Sequence, residues 1–140
     1  VVVRMPCGGG VGAGPFHSQN NEAWFTHTPG LKVLYPSNSF DAKGMLLAAF
    51  EDPNPVMFFE HKGLYRSISE EIPDDYYTVE IGKAKIVREG TDVSIITYGM
   101  GFFYQECPCR RIPMALTGTL KRGARFGIAD INSTGIQRKA

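Results

Sequence analysis

Three short apolar runs decide most of what this chain can become: VVVRM at 1–5, LKVLY at 31–35 and VMFFE at 56–60. Each is rich in β-branched or aromatic residues and too short for a helix. VVVRM, continuous and β-branched, has the pattern of a strand buried on both faces. The segments between the runs carry helix signals. SQNNEAWFTH (18–27) offers Ser18 as an N-cap and Glu22 early in the helix, and Thr28-Pro29-Gly30 stops it. FDAKGMLLAAFED (40–52) has Ser39 as its cap and Asp41 in the first turn, where the helix dipole favours an acid. Phe40, Leu47 and Phe50 recur along it at helical spacing, and Asp52-Pro53-Asn54-Pro55 ends it. Strands alternating with helices through short turns predict an α/β domain built on a parallel sheet.

Downstream the character changes. SISEEIPDDYYT (67–78) is acidic, is broken by Pro73, and reads as a linker. GKAKIVREG (82–90) reads as an extended segment ending in a turn. TDVSIITYG (91–99) reads as another buried strand, one that opens a second domain. Residues 1–101 carry eight Lys and Arg against twelve Asp and Glu, a net of −4, whereas residues 102–140 carry seven against two, a net of +5. That last stretch shows no amphipathic helix and is expected to be the least packed part of the chain.

Composition narrows the classes. Three cysteines, Cys7, Cys107 and Cys109, give no even disulfide framework and suit a reducing compartment. Cys107-Pro108-Cys109 lacks the C-x2-C spacing of a zinc site, and no second ligand pair follows. No run approaches 18 apolar residues, so no helical membrane span is expected. The chain opens on Val1 with a strand already under way, and residue 1 is expected to lie inside a longer protein.

The segment CGGGVGAGPFHSQ (7–19) holds five glycines in thirteen positions. Gly8, Gly10 and Ala13 formally match the G-x-G-x-x-G/A spacing of dinucleotide sites. Pro15, however, stands where the helix should run, and the acidic residue expected about 20 positions on is missing. No Gly-Lys-Ser/Thr of a P-loop occurs. Two readings remain for the loop. The glycines let the chain turn sharply off the sheet, or they hold His17 just beyond the carboxyl end of a strand, where ligands sit in open α/β sheets. Histidine titrates near neutrality, so His17 there could donate or accept a proton. His27, at a helix end, and His61, after a strand, read as structural.

The combination of HSQ, HTPGLKV, DAKG and EDPNPV closely resembles the β subunit of the thiamine-diphosphate-dependent 2-oxo acid dehydrogenases, the decarboxylating component of large multienzyme complexes. The resemblance runs from residue 1 to about 101. It implies the later half of a transketolase-like pyrimidine-binding domain over 1–68, a linker over 69–80, and the start of a transketolase-type carboxyl-terminal domain over 81–101. It implies that His17 is the active-site histidine of HSQ, which takes part in proton transfer as the acyl group passes to a lipoyl arm. It also implies a structural potassium site at AFEDPNP, with the carbonyl of Ala49 and the groups of Asp52 and Asn54 as ligands; the same residues could equally close a helix-end turn. The cofactor is thiamine diphosphate, whose diphosphate is bound through magnesium by an α subunit or fused α half, usually in a heterotetramer. The glutamate that activates the aminopyrimidine falls upstream of Val1, so the 140-residue chain alone is expected to be inactive. FFEHKGLYR is more similar to the branched-chain (2-oxoisovalerate) type than to the pyruvate type. Such enzymes work in the bacterial cytoplasm or the mitochondrial matrix. The resemblance stops at Gly101, where the family continues into a helix. A shifted reading frame, a divergent natural end and a basic nucleic-acid tail are three accounts of residues 102–140, but no recognition motif accompanies the third.

Overall fold

The computed structural model describes residues 1–106 and 126–131. Three strands, β1 (Val2–Cys7), β2 (Lys32–Leu34) and β3 (Val56–His61), form a parallel sheet in the order β1-β3-β2. The helices α1 (Glu22–Thr26) and α2 (Ser39–Glu51) fall between them in the chain, as the alternation predicts.

The core is split by the sheet, and the two-residue period of the strands decides which side chain goes where. On one face Val33, Tyr35, Met57 and Phe59 pack with Cys7, against Phe25 of α1. On the other, Leu34, Val56 and Phe58 pack with Met45 and Ala49 of α2. Every residue of β3 is buried, because β3 has a strand on each side and a layer on each face.

The expectation of double burial fails for β1. Among the described residues it is an edge strand paired with β3 alone; Val3 and Arg4 are exposed, and Val2 and Met5 only partly covered. An apolar run reports a strand but not how many neighbours that strand has.

Helix α2 also departs from expectation. Its buried stripe is Asp41, Gly44, Met45 and Ala49, while Phe40 and Phe50 are exposed. The small residues face the sheet and the strap described next, where they permit close approach. The cap is Asn38, not Ser39: Asn38 Oδ1 accepts the Asp41 backbone N–H at 2.8 Å, and its amide donates to Asp41 Oδ2 at 2.7 Å. Ser18 caps no helix either. Its hydroxyl donates to the Gly14 carbonyl at 2.6 Å; Ser18 ends a 3-10 turn at Phe16–Ser18, and the helix expected over 18–27 is the short α1.

The acidic stretch expected to link domains contains no helix or strand, yet it is strapped across α2. Val79 N–H donates to the Gly44 carbonyl at 3.1 Å, Tyr77 stacks on Phe40 with centroids 4.5 Å apart, and Lys43 donates to the carbonyls of Pro73, Asp74 and Asp75. A second sheet follows, made of β4 (Ala84–Arg88), β5 (Val93–Thr97) and β6 (Phe126–Ile131) in the order β4-β6-β5. The strand β6 runs antiparallel to β4 and parallel to β5. Ile96 of β5 is exposed, against the buried-strand reading.

Residues 102–140 were expected to lack a helix. Instead α3 (Gly99–Glu106) carries into that stretch, and β6, which lies in it, pairs with β4 and β5. The rest of that expectation, at 107–125 and 132–140, lies outside the described residues. No helix among the described residues is long and apolar enough to cross a membrane.

Candidate functional site

The glycine loop leaves the carboxyl end of β1 and is pinned at its base, where Gly8 N–H donates to the Gln19 carbonyl at 3.0 Å. Gly8, Gly10, Gly12 and Gly14 all take positive φ, an alternation that only glycine adopts without strain. Gly8 is required twice over. A β-carbon there would lie 2.1 Å from Nε2 of His61, far inside van der Waals contact with the ring.

His17 occupies the middle of the 3-10 turn, exposed, with Phe16 edge-on to its ring at a centroid distance of 5.4 Å. It lines a small cavity of about 150 Å³ together with Cys7, Phe16, Gln19, Phe59 and Lys62. The loop turns off the sheet, and an exposed imidazole stands near the carboxyl ends of β1 and β3.

Lys62 carries no motif signal in the sequence, yet it reaches this site. Its ammonium donates to the His17 backbone carbonyl, across 45 positions of chain. Register explains the approach: Cys7 pairs with His61, so the residue after His61 lies beside the start of the loop. His61 is buried, and its Nδ1 accepts the Gly63 N–H at 3.1 Å. Burial, and then the neighbouring Lys62 charge, hold it below the usual histidine range, so the ring under the loop is neutral at pH 7. Cys7 is a buried free thiol donating to Tyr35 Oη at 3.1 Å; burial pushes it up, away from the reactive thiolate. His27 stays at the end of α1 with Nδ1 3.1 Å from the Ala23 carbonyl.

A second cleft, of about 570 Å³, lies between the two sheets and is lined by Asn20, Glu22, Tyr35, His61 and Tyr98 among others. Tyr98 Oη donates to Glu22 Oε1 at 3.4 Å, while the other carboxylate oxygen is buried without a hydrogen-bond partner.

Ala49, Asp52 and Asn54 do come together at the end of α2. Asp52 N–H donates to the Ala49 carbonyl at 3.3 Å, and Asp52 Oδ1 accepts both the backbone and side-chain N–H of Asn54 at 2.9 Å. Asp52 Oδ2 accepts from Lys32. Burial pushes this carboxyl up, but Lys32 and Asn54 outweigh it and leave it below its ordinary value. As arranged, the donor set serves its own turn, and the cation at the carboxylate is Lys32. Among the described residues no cluster of three or more His, Cys, Asp or Glu could hold a metal.

Residues 1–68 match the model of the transketolase pyrimidine-binding domain. The fold of this part is that of a transketolase-like pyrimidine-binding domain. The β subunit of 2-oxoisovalerate dehydrogenase from Bacillus subtilis is 54% identical over 100 residues, covering 71% of this chain and 31% of the relative. The β subunit of the pyruvate dehydrogenase E1 component from Mycoplasma genitalium is 52% identical over 103 residues, covering 74% and 32%. Its counterpart from Bacillus subtilis is 50% identical over 99 residues, covering 71% and 30%. The chain thus spans about a third of the length of the curated relatives it matches. Among solved structures, a split-gene transketolase in an inactive β4 tetramer superposes with a TM-score of 0.61 at 22% identity, over 94% of this chain and 39% of the other. That likeness extends the agreement in fold past the pyrimidine-binding domain.

Proposed function

We propose that the chain is part of the β subunit of a 2-oxo acid dehydrogenase's decarboxylating component, and that His17 is its acid–base residue. The observation that carries this is the exposed imidazole at the carboxyl end of a parallel sheet, in a domain whose relatives are such β subunits. The residues present fit one side of a thiamine site and no more. They offer a proton-transfer group, while the activating glutamate and the diphosphate-binding residues are assigned elsewhere, upstream and in an α partner with magnesium. When bound, thiamine diphosphate supplies the electron sink for loss of carbon dioxide.

The role of this chain is then a proton at a stated place. As the acyl group is oxidised to the thioester level, the lipoyl S–S bond is reduced. One sulfur takes the acyl group, the other takes a proton, and His17 delivers it. A positioned acid of this kind is worth 10²–10⁴ in rate, about 3–5 kcal/mol of barrier. Substrate choice is proposed as branched-chain, on the FFEHKGLYR segment; the relatives at 54% and 52% identity stand on either side of that choice.

The test uses the full-length protein assembled with its α subunit, thiamine diphosphate and magnesium. His17→Ala should cut acylation of a lipoyl domain by roughly 10²–10⁴. Decarboxylation followed with an artificial electron acceptor should fall less, because that assay bypasses the lipoyl step. Equal losses in both assays with a lowered melting temperature would make His17 a packing residue. A higher kcat/KM for pyruvate than for 2-oxoisovalerate would overturn the substrate assignment alone.

A further inference from the structure

The loop that carries His17 has little packing of its own. A β-carbon at Gly10, Gly12 or Gly14 would meet nothing within 4 Å, and Phe16 is 79% exposed. Alternating glycines without packing cannot fix an imidazole, since glycine is the most freely moving residue of the unfolded chain and needs contacts to hold it. The base of the loop is held by Gly8, over His61 and bonded to Gln19. At the far end, where His17 sits, a contact reaches across from the turn after β3: the Lys62 ammonium on the His17 carbonyl. Lys62 also lines the same small cavity as His17. An ammonium-to-carbonyl bond is charge-assisted and stronger than a neutral one. It holds the backbone of residue 17 and leaves the ring free to meet a substrate.

We propose that Lys62 is a positioning residue for His17: it fixes the turn that aims the imidazole, without itself touching the reacting atoms. This rests on the reading of His17 as the proton donor to the lipoyl arm, and the experiment separates the two. In the assembled full-length enzyme, Lys62→Met should speed hydrogen–deuterium exchange in a peptide covering residues 8–19. It should lower kcat for lipoyl-domain acylation ten- to hundredfold, the cost of a misplaced group. The KM for the 2-oxo acid and artificial-acceptor decarboxylation should stay within about twofold, since neither uses the aimed proton. Lys62→Arg, which keeps the charge and the donor, should restore both exchange and kcat. Unchanged exchange at 8–19 in Lys62→Met would overturn the positioning role. So would equal losses in the two activity assays, or a failure of Lys62→Arg to restore either readout. If exchange rises and Lys62→Arg rescues it, while His17→Ala leaves acylation intact, the positioning role stands and the assignment of His17 as proton donor falls.

Discussion

Gly8 lies directly over the imidazole of His61, so close that a β-carbon at residue 8 would stand 2.1 Å from Nε2 and 2.3 Å from Cδ2. Two parallel strands in register bring this about: Cys7 pairs with His61, and the chain then turns over its partner strand's last side chain. The turn into the His17 loop is therefore built from one residue with no side chain and one with a rigid ring.

Gly8→Ala should destabilise the fold in two ways. The positive φ costs about 1–2 kcal/mol for any L-residue, and the clash with His61 adds about 1–3 kcal/mol of overpacking. Gly12→Ala, at positive φ but in open space, should lose only the first part. Urea midpoints of the two variants test this. Adding His61→Ala to Gly8→Ala should recover part of the loss, so a double-mutant cycle with no coupling would contradict the contact.

The cap of α2 gives a sharper contrast between what sequence suggests and what the fold selects. Asn38→Ala should cost about 1 kcal/mol, because it leaves the Asp41 N–H without its acceptor. Ser39→Ala should be close to neutral, since Ser39 is already the first helical residue. Thermal or urea unfolding of the two variants side by side decides it; a larger loss at Ser39 would return the cap to that residue.

These particulars show what a sequence carries. The three strands and α2 were legible because apolar runs and turn residues are local signals, and the loop that carries His17 was legible because five glycines crowd into it. The edge position of β1 was not legible, since burial depends on how many strands lie alongside, and that is a property of the assembled sheet. The buried stripe of α2 misled for a related reason. Phe40, Leu47 and Phe50 are larger and more apolar, but Gly44 and Ala49 permit the close approach of the strap and the sheet. Lys62 could not be found at all, because its partner lies 45 residues away and a lone lysine after a strand has no pattern.

Acid should act through Glu60. Burial alone would push this carboxyl up. Two bonds from Arg4 at 2.5 and 2.8 Å and one from Tyr65 at 2.6 Å more than offset that, and it falls below its ordinary value. A depressed carboxyl contributes stability that is fully present above the unfolded value, near 4.3 for glutamate, and is lost as pH falls through the folded value. Arg4→Gln should thus lower the urea midpoint at pH 7, and its difference from the parent should close below about pH 4. A difference that persists unchanged at low pH would assign the effect to packing by the arginine stem instead.

The potassium proposal for the end of α2 can be decided through Lys32. Asp52 is largely buried, with 9% of its side chain exposed, and its Oδ2 is held by the Lys32 ammonium. A monovalent cation at Ala49, Asp52 and Asn54 would have to share or displace that ammonium, because a hard cation needs the same carboxylate oxygens. Lys32→Met removes the competitor and leaves the carboxylate, among the described residues, with Asn54 as its donor. The variant should be less stable in sodium chloride, because the buried carboxylate has lost its counter-charge. In potassium chloride of equal ionic strength it should regain more of that loss than the parent gains, so the melting temperatures of both proteins in the two salts are the measurement. No selective gain in potassium for either protein would sink the cation proposal and leave the segment a helix-end turn, closed by Asn54 and neutralised by Lys32.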